Sequence, residues 1–275
     1  MKIVSANMCI LQPGLSLSGG GDMKLSRWER FLNRMKQEEI DVALVSEVWG
    51  CRYYPSQKNQ FKKSAQKMGY RVVETKYCVF SDLGLLILVK NDFRVLHSSM
   101  HLFSHDYMSF SERMLFSTIT QNGVLYAMIQ GPDKTRYHLF TTHMNHNLLP
   151  SKNGSFSDNV SKTILTNLYE MKNFVWAKTN MKKDKIIIAG DFNLSPNVPA
   201  DKVNWETLVS MFGAPKSPTD QTTIVGGFLT PMFWKQDFSS AKYCVDHIFS
   251  ANCDIQEVEV QDWKLSDHKF LSCII

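Results

Sequence analysis

The sequence has no hydrophobic run long enough to cross a membrane. Its longest apolar runs, such as residues 83–89, are far shorter than the ~20 residues that a transmembrane helix needs. A secretory leader is not indicated either, because Asn7 interrupts the largely apolar residues 3–11 that follow Lys2 and no clean small-residue cleavage site follows them. We therefore interpret residues 2–7 as a first strand and expect a cytoplasmic protein.

Cysteine pairs with the spacing of a thiolate metal site are also missing. The six cysteines are scattered, mostly in apolar and strand-like segments, at Cys9, Cys51, Cys78, Cys244, Cys253 and Cys273. Structural zinc sites normally draw on closely spaced cysteines, so this distribution argues against one. We predict buried, reduced thiols and a reducing compartment.

The chain carries little excess charge and no repeat or low-complexity segment. Its 31 basic and 26 acidic side chains leave a net charge of +5, with an isoelectric point near 8.8. A mildly basic surface suits a phosphate-bearing partner, either nucleic acid or lipid headgroups, although ordinary solubility explains so small an excess equally well.

Hydrophobic residues make up 44% of the 275, which is enough for a core and excludes a disordered chain. We expect a single domain over residues 1–275.

Apolar residues at helical spacing predict two amphipathic helices. The first, over residues 27–36, places Trp28 and Phe31 on its apolar side and Arg27 on its polar side, and the second covers residues 160–175. Strands are predicted at residues 2–7, 41–46, 71–75, 85–89, 114–120, 124–130, 137–142, 185–189, 244–250, 257–261 and 270–275. Strands outnumber helices so heavily that the predicted fold is α/β, with two packed β-sheets.

Polar residues stand where the predicted buried strands end. Six segments that are far apart in sequence each deliver such a residue: Asn7, Glu47, His143, Asp191 with Asn193, Asp246, and Asp267 with His268. A cap or a turn explains any single one of them. Six together, at strand ends where α/β proteins build their sites, predict a functional site.

These residue types fit metal-assisted cleavage of a phosphodiester. Asn7 and Glu47 offer the oxygen ligands that Mg²⁺ prefers, with Mn²⁺ as an alternative, and Mg²⁺ needs few protein ligands because it keeps several waters. A histidine beside an aspartate, as at residues 267–268, supplies a general base whose tautomer a carboxylate fixes. Asparagine and a second histidine can donate hydrogen bonds to the charge that develops on phosphorus.

The same residues form an ordered set of motifs that resembles the endonuclease/exonuclease/phosphatase superfamily. The set consists of Asn7, residues 41–49, Thr142-His143-Met144-Asn145, Gly190-Asp191-Phe192-Asn193, Val245-Asp246-His247-Ile248 and Ser266-Asp267-His268. It covers residues 2–275 in the order that the family shows. The resemblance implies a four-layer α/β sandwich of two mixed β-sheets flanked by helices, and a divalent-metal phosphodiesterase or phosphatase with its site at the top of the facing sheets.

Roles follow from the resemblance, position by position. Glu47 and Asn7 would hold the metal, and Asp267 would either join them or orient the ring of His268. His268 would be the general base, with Asp246 as the other candidate to hold it. Asp191 and Asn193 would orient the nucleophile, and His143 would donate to a phosphate oxygen or protonate the leaving group. Apart from the resemblance, Arg113 and Asn145 are candidate substrate contacts, although an exposed strand-end arginine is the more common explanation of the first and loop chemistry explains the second equally well.

Within the superfamily, the sequence is most similar to neutral sphingomyelinases and deoxyribonuclease I. The Thr-His motif is typical of both, and residues 31–49 and 110–113 look most like neutral sphingomyelinases. Ala189 and His247 replace the Trp and Arg of the inositol-polyphosphate 5-phosphatase motifs, and the Asn-x-Tyr-x-Pro-Asn pattern of exonuclease III types is missing. Ser46 departs from the Gln or Glu that is common in sphingomyelinases.

The predicted function is that of a Mg²⁺-dependent, neutral-sphingomyelinase-like phosphodiesterase that hydrolyses sphingomyelin to ceramide and phosphocholine. A deoxyribonuclease-I-like endonuclease, or another phosphoesterase of the superfamily, is the alternative, and a phosphate-binding pseudoenzyme is a third hypothesis. The expected partner is a lipid headgroup rather than nucleic acid. Residues 224–234, which are apolar and aromatic, would either touch a membrane surface transiently or pack in the core.

Overall fold

The computed structural model describes residues 1–10, 23–50, 56–75, 82–104, 107, 121–145, 158–224 and 243–275. Two sheets dominate this part of the chain. The first has the strand order β10-β11-β1-β2-β4-β3, built from β1 (Lys2–Ile10), β2 (Val42–Val48), β3 (Tyr70–Glu74), β4 (Leu86–Lys90), β10 (Val258–Gln261) and β11 (Phe270–Ile274). The second has the order β5-β6-β7-β8-β9, built from β5 (Arg94–Leu102), β6 (Gly123–Gln130), β7 (Arg136–His143), β8 (Lys185–Asp191) and β9 (Asp246–Ala251).

Both sheets are mixed, with one parallel pair at the centre of each. Strand β1 runs parallel to β2, and β7 runs parallel to β8, whereas the other paired strands are antiparallel. The carboxyl ends of a parallel pair lie at the same edge of a sheet. Residues that follow β1 and β2, and those that follow β7 and β8, are therefore brought side by side.

Alternation along the strands separates three apolar layers. Inward side chains such as Leu44 of β2 and Leu139 of β7 meet between the two sheets. The opposite face of the first sheet packs on α1 (Lys24–Gln37) and α2 (Ser56–Lys67), and that of the second packs on α3 (Asp158–Lys178) and α4 (Lys202–Phe212). The order helices, sheet, sheet, helices confirms the predicted four-layer α/β sandwich.

The structure corrects several details of the sequence prediction. Arg27 does not lie on a solvent-facing side of α1, because it is 1% exposed and donates to backbone carbonyls. Helices α2 and α4 and strand β5 were not predicted. Strand β1 continues past Asn7 with an irregular register, and β9 begins at Asp246 rather than at Cys244. The strand predicted at residues 114–120 lies outside the described residues.

Other predictions agree with the structure where it describes them. Four cysteines, Cys9, Cys244, Cys253 and Cys273, are free and buried, as the sequence indicates. Among the described residues, no helix is both long and apolar enough to span a membrane. Most of the aromatic stretch at residues 224–234 lies outside the described part of the chain, so its proposed membrane contact stays a prediction.

Candidate metal and catalytic site

Strand register brings the predicted residues to neighbouring edges of the two sheets. In the first sheet, Asn7 of β1 lies beside the residue that precedes Glu47 on β2. In the second sheet, Asp191 at the end of β8 pairs with both His143 of β7 and Asp246 of β9. The pairing of neighbouring strands is therefore enough to place these side chains close together, without any contribution from a loop.

Gly190 allows β8 to approach β7 closely at this edge. Its φ is +146°, and a Cβ built on it would lie 2.1 Å from the backbone oxygen of Thr142. A side chain at this position would push the two strands apart. The glycine of the Gly-Asp-Phe-Asn motif is thus required for the placement of Asp191 that follows it.

The Asn7 carboxamide joins the two sheets. Its Nδ2 donates to Glu47 Oε1 at 2.8 Å and to Asp191 Oδ2 at 2.9 Å, and its Oδ1 accepts from the backbone N–H of Cys9 at 3.0 Å. The residue is 1% exposed. A buried amide whose donors and acceptor are all engaged is held in one orientation, so Asn7 sets the separation of the two carboxylates.

Glu47 combines an uncommon backbone conformation with a raised pKa. Its φ of +54° lies in the left-handed region, which costs a non-glycine residue about 1–2 kcal/mol. Burial, and next the carboxylate of Asp267, raise the pKa of Glu47 to about 7, against the opposing effects of His268 and Asn7. Strain and a perturbed carboxyl in one residue are typical of functional sites.

Asp246 and His268 form a carboxylate–imidazole pair. His268 Nδ1 lies 2.8 Å from Asp246 Oδ2, whereas its Nε2 lies 3.9 Å from Asp191 Oδ2. Burial alone would lower the pKa of His268, but the Asp246 and Asp191 carboxylates hold it well above the usual range. Of the two aspartates that the sequence leaves open as partners of this ring, Asp246 is the one that bonds to it.

Asp191 is held by the backbone and crowded by charge. Its Oδ1 accepts from the backbone N–H of Asn193 at 2.8 Å, and Asn193 Nδ2 donates to the backbone oxygen of Met144 at 2.8 Å. Burial, followed by the nearby Asp246 carboxylate, raises the pKa of Asp191 to about 6. The Gly-Asp-Phe-Asn motif therefore delivers one anchored carboxyl group and one anchored amide.

His143 lies between the two sheets with an open nitrogen. Its Nε2 is 3.4 Å from Glu47 Oε1 and 3.8 Å from Asp191 Oδ2, and the Trp49 ring packs against it at 5.9 Å between centroids. Within the described part of the chain, its Nδ1 has no hydrogen-bond partner. Burial lowers the pKa of His143, which favours a neutral ring that can donate one N–H.

The remaining predicted residues are placed differently. Asp267 is half-buried and close enough to Glu47 to raise the pKa of that carboxyl. Asn145 is 1% exposed, and in the amide orientation that satisfies its neighbours the Asn167 oxygen on α3 accepts from Asn145 Nδ2 at 2.9 Å. Its amide nitrogen is therefore directed at a helix rather than at the carboxylates. Arg113 lies outside the described residues.

His247, which neighbours Asp246 in its motif, faces away from the site. Its Nε2 lies 2.9 Å from the backbone oxygen of Leu194, and its ring is 4.7 Å from that of Trp205. Burial lowers the pKa of His247 to about 4. Since alternate residues of a strand point to opposite faces, Asp246 can serve the site while His247 packs in the core.

A buried ion pair, which the sequence pattern did not reveal, holds the segment that follows Glu47. Lys58 of α2 pairs with Asp82, and both side chains are fully buried. Asp82 Oδ1 also accepts from the backbone N–H of Gly50 at 3.0 Å and of Gly84 at 2.9 Å. The pair thereby holds the segment that carries Trp49. Its members are distant in sequence and belong to no motif, so no signal marks them before the fold is known.

The donor set fits a hard divalent cation. Two overlapping groups, Glu47 with His143 and Asp191, and Asp191 with Asp246 and His268, each offer ligand atoms within 4.8 Å of one another. Burial first, and a neighbouring carboxylate second, raise the pKa of both Glu47 and Asp191, so each carboxylate gains from a cation placed beside it. Carboxylate oxygens are the ligands that Mg²⁺ or Mn²⁺ prefers.

Comparison with known proteins gives one curated relative and many structural neighbours. No protein-family model matches the chain. A sphingomyelinase of Dictyostelium discoideum is 25% identical over 182 residues, which cover 59% of this chain and 39% of that protein. The chain thus spans less than half the length of the curated relative that it matches.

Among solved structures, SmcL has a TM-score of 0.72 at 17% identity, over 99% of this chain and 97% of its own. An endonuclease/exonuclease/phosphatase family protein from Bacteroides thetaiotaomicron has a TM-score of 0.68 at 14% identity, over 99% and 96%. Beta toxin from Staphylococcus aureus, in a structure with bound magnesium ions, has a TM-score of 0.68 at 14% identity, over 99% and 98%. The chain therefore has the fold of the endonuclease/exonuclease/phosphatase superfamily, which confirms the predicted resemblance. The prediction of a hydrolase that acts on phosphoric esters agrees with these relatives.

Proposed function

We propose that the chain is a Mg²⁺-dependent phosphodiesterase that hydrolyses sphingomyelin to ceramide and phosphocholine. The observation that carries the proposal is the cluster in which three carboxylates and two imidazoles meet at the edges of two packed sheets: Glu47, Asp191, Asp246, His143 and His268. The coarser part, a phosphoric ester hydrolase that uses a divalent metal, is supported by this donor set and by the superfamily fold. The finer part, the lipid and Mg²⁺, is supported by the Dictyostelium sphingomyelinase and by the magnesium ions of beta toxin.

Glu47 would hold the metal ion together with Asp267 and Asn7. A divalent cation bound there supplies positive charge beside a phosphate oxygen, which favours attack on phosphorus. Asn7 keeps Glu47 in place through the 2.8 Å hydrogen bond to its carboxylate. In this arrangement the Asn7 oxygen is engaged by the backbone of Cys9, so its part as a direct ligand requires the amide to turn.

His268 would take the proton of the attacking water. Its Nδ1–H donates to Asp246, which leaves Nε2 as the acceptor on the side that faces Asp191. The ring must be neutral for this role, although the surrounding carboxylates raise its pKa. Positive charge held at Glu47 opposes those carboxylates and lowers the pKa of the ring toward neutrality.

Asp191 and Asn193 would orient the attacking water, and His143 would act on the phosphate. A neutral His143 can donate its N–H either to a non-bridging oxygen or to the departing oxygen. Groups that act in this way each contribute on the order of 10²–10⁴ to the rate. Removal of any one of them is therefore expected to lower kcat far more than it lowers stability.

The experiment is a comparison of two substrates under matched conditions. Purified protein would be assayed for phosphocholine release from sphingomyelin in mixed micelles and for nicking of supercoiled DNA, each with Mg²⁺ and with EDTA. His268→Ala, prepared in parallel, controls for contaminating enzymes. We expect phosphocholine release that needs Mg²⁺ and is lost in the variant.

The other outcomes discriminate the alternatives. DNA nicking without lipid turnover would contradict the sphingomyelinase assignment and favour the deoxyribonuclease-I-like enzyme, whose affinity for DNA should fall steeply with salt. Metal binding without turnover of either substrate would favour a pseudoenzyme. Activity that EDTA does not reduce would contradict the metal-dependent mechanism itself.

A further inference from the structure

A cavity outside the cluster of carboxylates opens between helix α1 and the segment that precedes the Ser-Asp-His motif. Its volume is about 310 Å³, and its lining consists of Arg30, Arg34, Asp262, Trp263, Lys264 and Leu265. Three of these side chains are cationic and one is anionic. None of them has a role in the proposed reaction.

The cations of the cavity are only partly neutralised. Arg30 and Arg34 are four residues apart and so lie on one face of α1. Arg34 Nε is paired with Glu38 at 2.9 Å. In the part of the chain that the structure describes, no carboxylate lies within salt-bridge distance of Arg30 or Lys264. The cavity therefore presents positive charge that the fold itself does not use.

The indole of Trp263 forms a fixed wall of the cavity. Its Nε1 is buried and has no hydrogen-bond partner among the described residues, so its N–H gives a single signal that reports on this wall. The ring is fixed by Phe31, at 5.8 Å between centroids, and by Phe270, at 5.4 Å. The wall between the cationic side chains is therefore held in place by aromatic packing rather than by the ligand.

We propose that this cavity is a second binding site, separate from the catalytic cluster, for a single phosphate group. Two arginines present planar donors that match phosphate oxygens, and Lys264 adds a point charge. The phosphate belongs either to a free anion or to the headgroup of an anionic lipid. The proposal concerns binding alone and stands whichever ester the enzyme cleaves.

The cavity lies next to the segment that carries two of the predicted catalytic-site residues. Its wall at residues 262–265 continues directly into the Ser-Asp-His motif. The last wall residue, Leu265, is tied by its backbone oxygen to Arg27 Nη1 at 2.8 Å, and the same nitrogen donates to Met8 at 2.7 Å. A bound phosphate would therefore contact the segment that leads to Asp267 and His268.

The test follows the Trp263 indole N–H by ¹H–¹⁵N NMR in protein without divalent metal. The signal is assigned by its loss in Trp263→Phe, and inorganic phosphate is titrated in. Arg30→Gln/Arg34→Gln removes two cavity charges, and Lys63→Gln/Arg71→Gln removes two exposed charges elsewhere as the matched control. Arg30→Gln alone keeps the Arg34–Glu38 pair, so this single variant replaces the double variant if the latter is unstable.

A second experiment tests a lipid source. It measures co-sedimentation of the same variants with phosphatidylcholine vesicles, with and without phosphatidic acid.

We expect phosphate to shift the Trp263 signal in the wild type and in the control, with affinity reduced roughly tenfold or more by the cavity substitutions. This result identifies free phosphate as sufficient. No shift with phosphate, but co-sedimentation that needs phosphatidic acid and is lost only in the cavity variants, supports the site with a lipid as its source. No binding in either arm, or equal losses in the cavity and control variants, would overturn the proposal.

Discussion

At the scale of single residues, the proposed proton transfer from water depends on the imidazole of His268. His268 is bonded through Nδ1 to Asp246, and its other nitrogen faces the carboxylate of Asp191. We expect His268→Ala to lower kcat by about 10²–10⁴ while KM changes little, because a general base acts mainly in the transition state. Steady-state kinetics would check this. A raised KM with unchanged kcat would instead make His268 a substrate contact.

Arg27 supplies a second prediction at this scale. Its guanidinium is buried and donates to the backbone oxygens of Met8, Cys9 and Leu265, at 2.7, 3.0 and 2.8 Å. Arg27→Met leaves these buried acceptors without their donor, so we expect the free energy of unfolding to fall by about 3 kcal/mol. Urea denaturation measures the change, with the exposed Arg30→Met as control. Equal stability of the two variants would show that the guanidinium is dispensable.

Residue chemistry was largely readable from the sequence, but contacts were not. The strand-end positions of Glu47 and Asp191 could be predicted, because each polar residue directly follows an apolar run that forms a buried strand. The partner of His268 was not readable, since Asp246 and Asp267 are chemically alike and only the fold decides which reaches the ring. The individual catalytic roles stay predictions.

At the scale of elements, the segment before β4 contacts the residue that follows β2 and thereby shapes the site. Gly84 has a φ of +62°, and a Cβ built on it would lie 2.9 Å from the Trp49 ring, which packs against His143. We expect Gly84→Ala to lower both the melting temperature and kcat, because the alanine strains the backbone and displaces the indole.

The matched control for this substitution is Gly69→Ala. Gly69 also has a positive φ, of +92°, but no atom lies within 4 Å of a Cβ built there. This variant should therefore lose stability through backbone strain and keep its kcat. Thermal melts and steady-state kinetics of both variants decide the matter. If the two lose activity equally, Trp49 does not position His143.

Prediction of elements succeeded where hydrophobic periodicity was strong and failed where it was weak. Strand β8 was predicted because Ile186, Ile187 and Ile188 form a short run of β-branched residues, which is typical of a buried strand. Helix α2 was missed because it is polar apart from Phe61 and Ala65, and it is held by tertiary contacts rather than by an apolar stripe. Arg27 was misplaced because the end of β1 and the segment before His268 cover that side of α1, which periodicity cannot show.

At the scale of the whole molecule, the two sheets concentrate carboxylates that neither sheet would hold alone. The consequence is a pKa of about 7 for Glu47 and of about 6 for Asp191, both raised chiefly by burial. At a pH below its pKa, each of the two carboxyl groups is mostly protonated, and a cation must displace that proton in order to bind. Affinity for Mg²⁺ should therefore fall as the pH drops through about 7 and then about 6.

Isothermal titration calorimetry in two buffers of different ionisation enthalpy checks this directly. A difference in the apparent binding enthalpy between the buffers would report proton release on metal binding. Binding that releases no proton at neutral pH, with an affinity independent of pH, would contradict the raised pKa values of these buried carboxyl groups. The single-domain organisation and the cytoplasmic location stay predictions at this scale.

The central claim is that a divalent ion held at Glu47 drives the hydrolysis, and Mn²⁺ binding followed by electron paramagnetic resonance tests it most directly. The wild type, Glu47→Gln and the control Glu170→Gln, which replaces a partly buried glutamate bonded to His101, would be titrated in parallel with phosphoric ester hydrolysis. We predict that Glu47→Gln weakens Mn²⁺ binding and raises the metal concentration needed for activity to the same extent, while the control matches the wild type. Unchanged Mn²⁺ binding and unchanged metal dependence in Glu47→Gln would contradict the account.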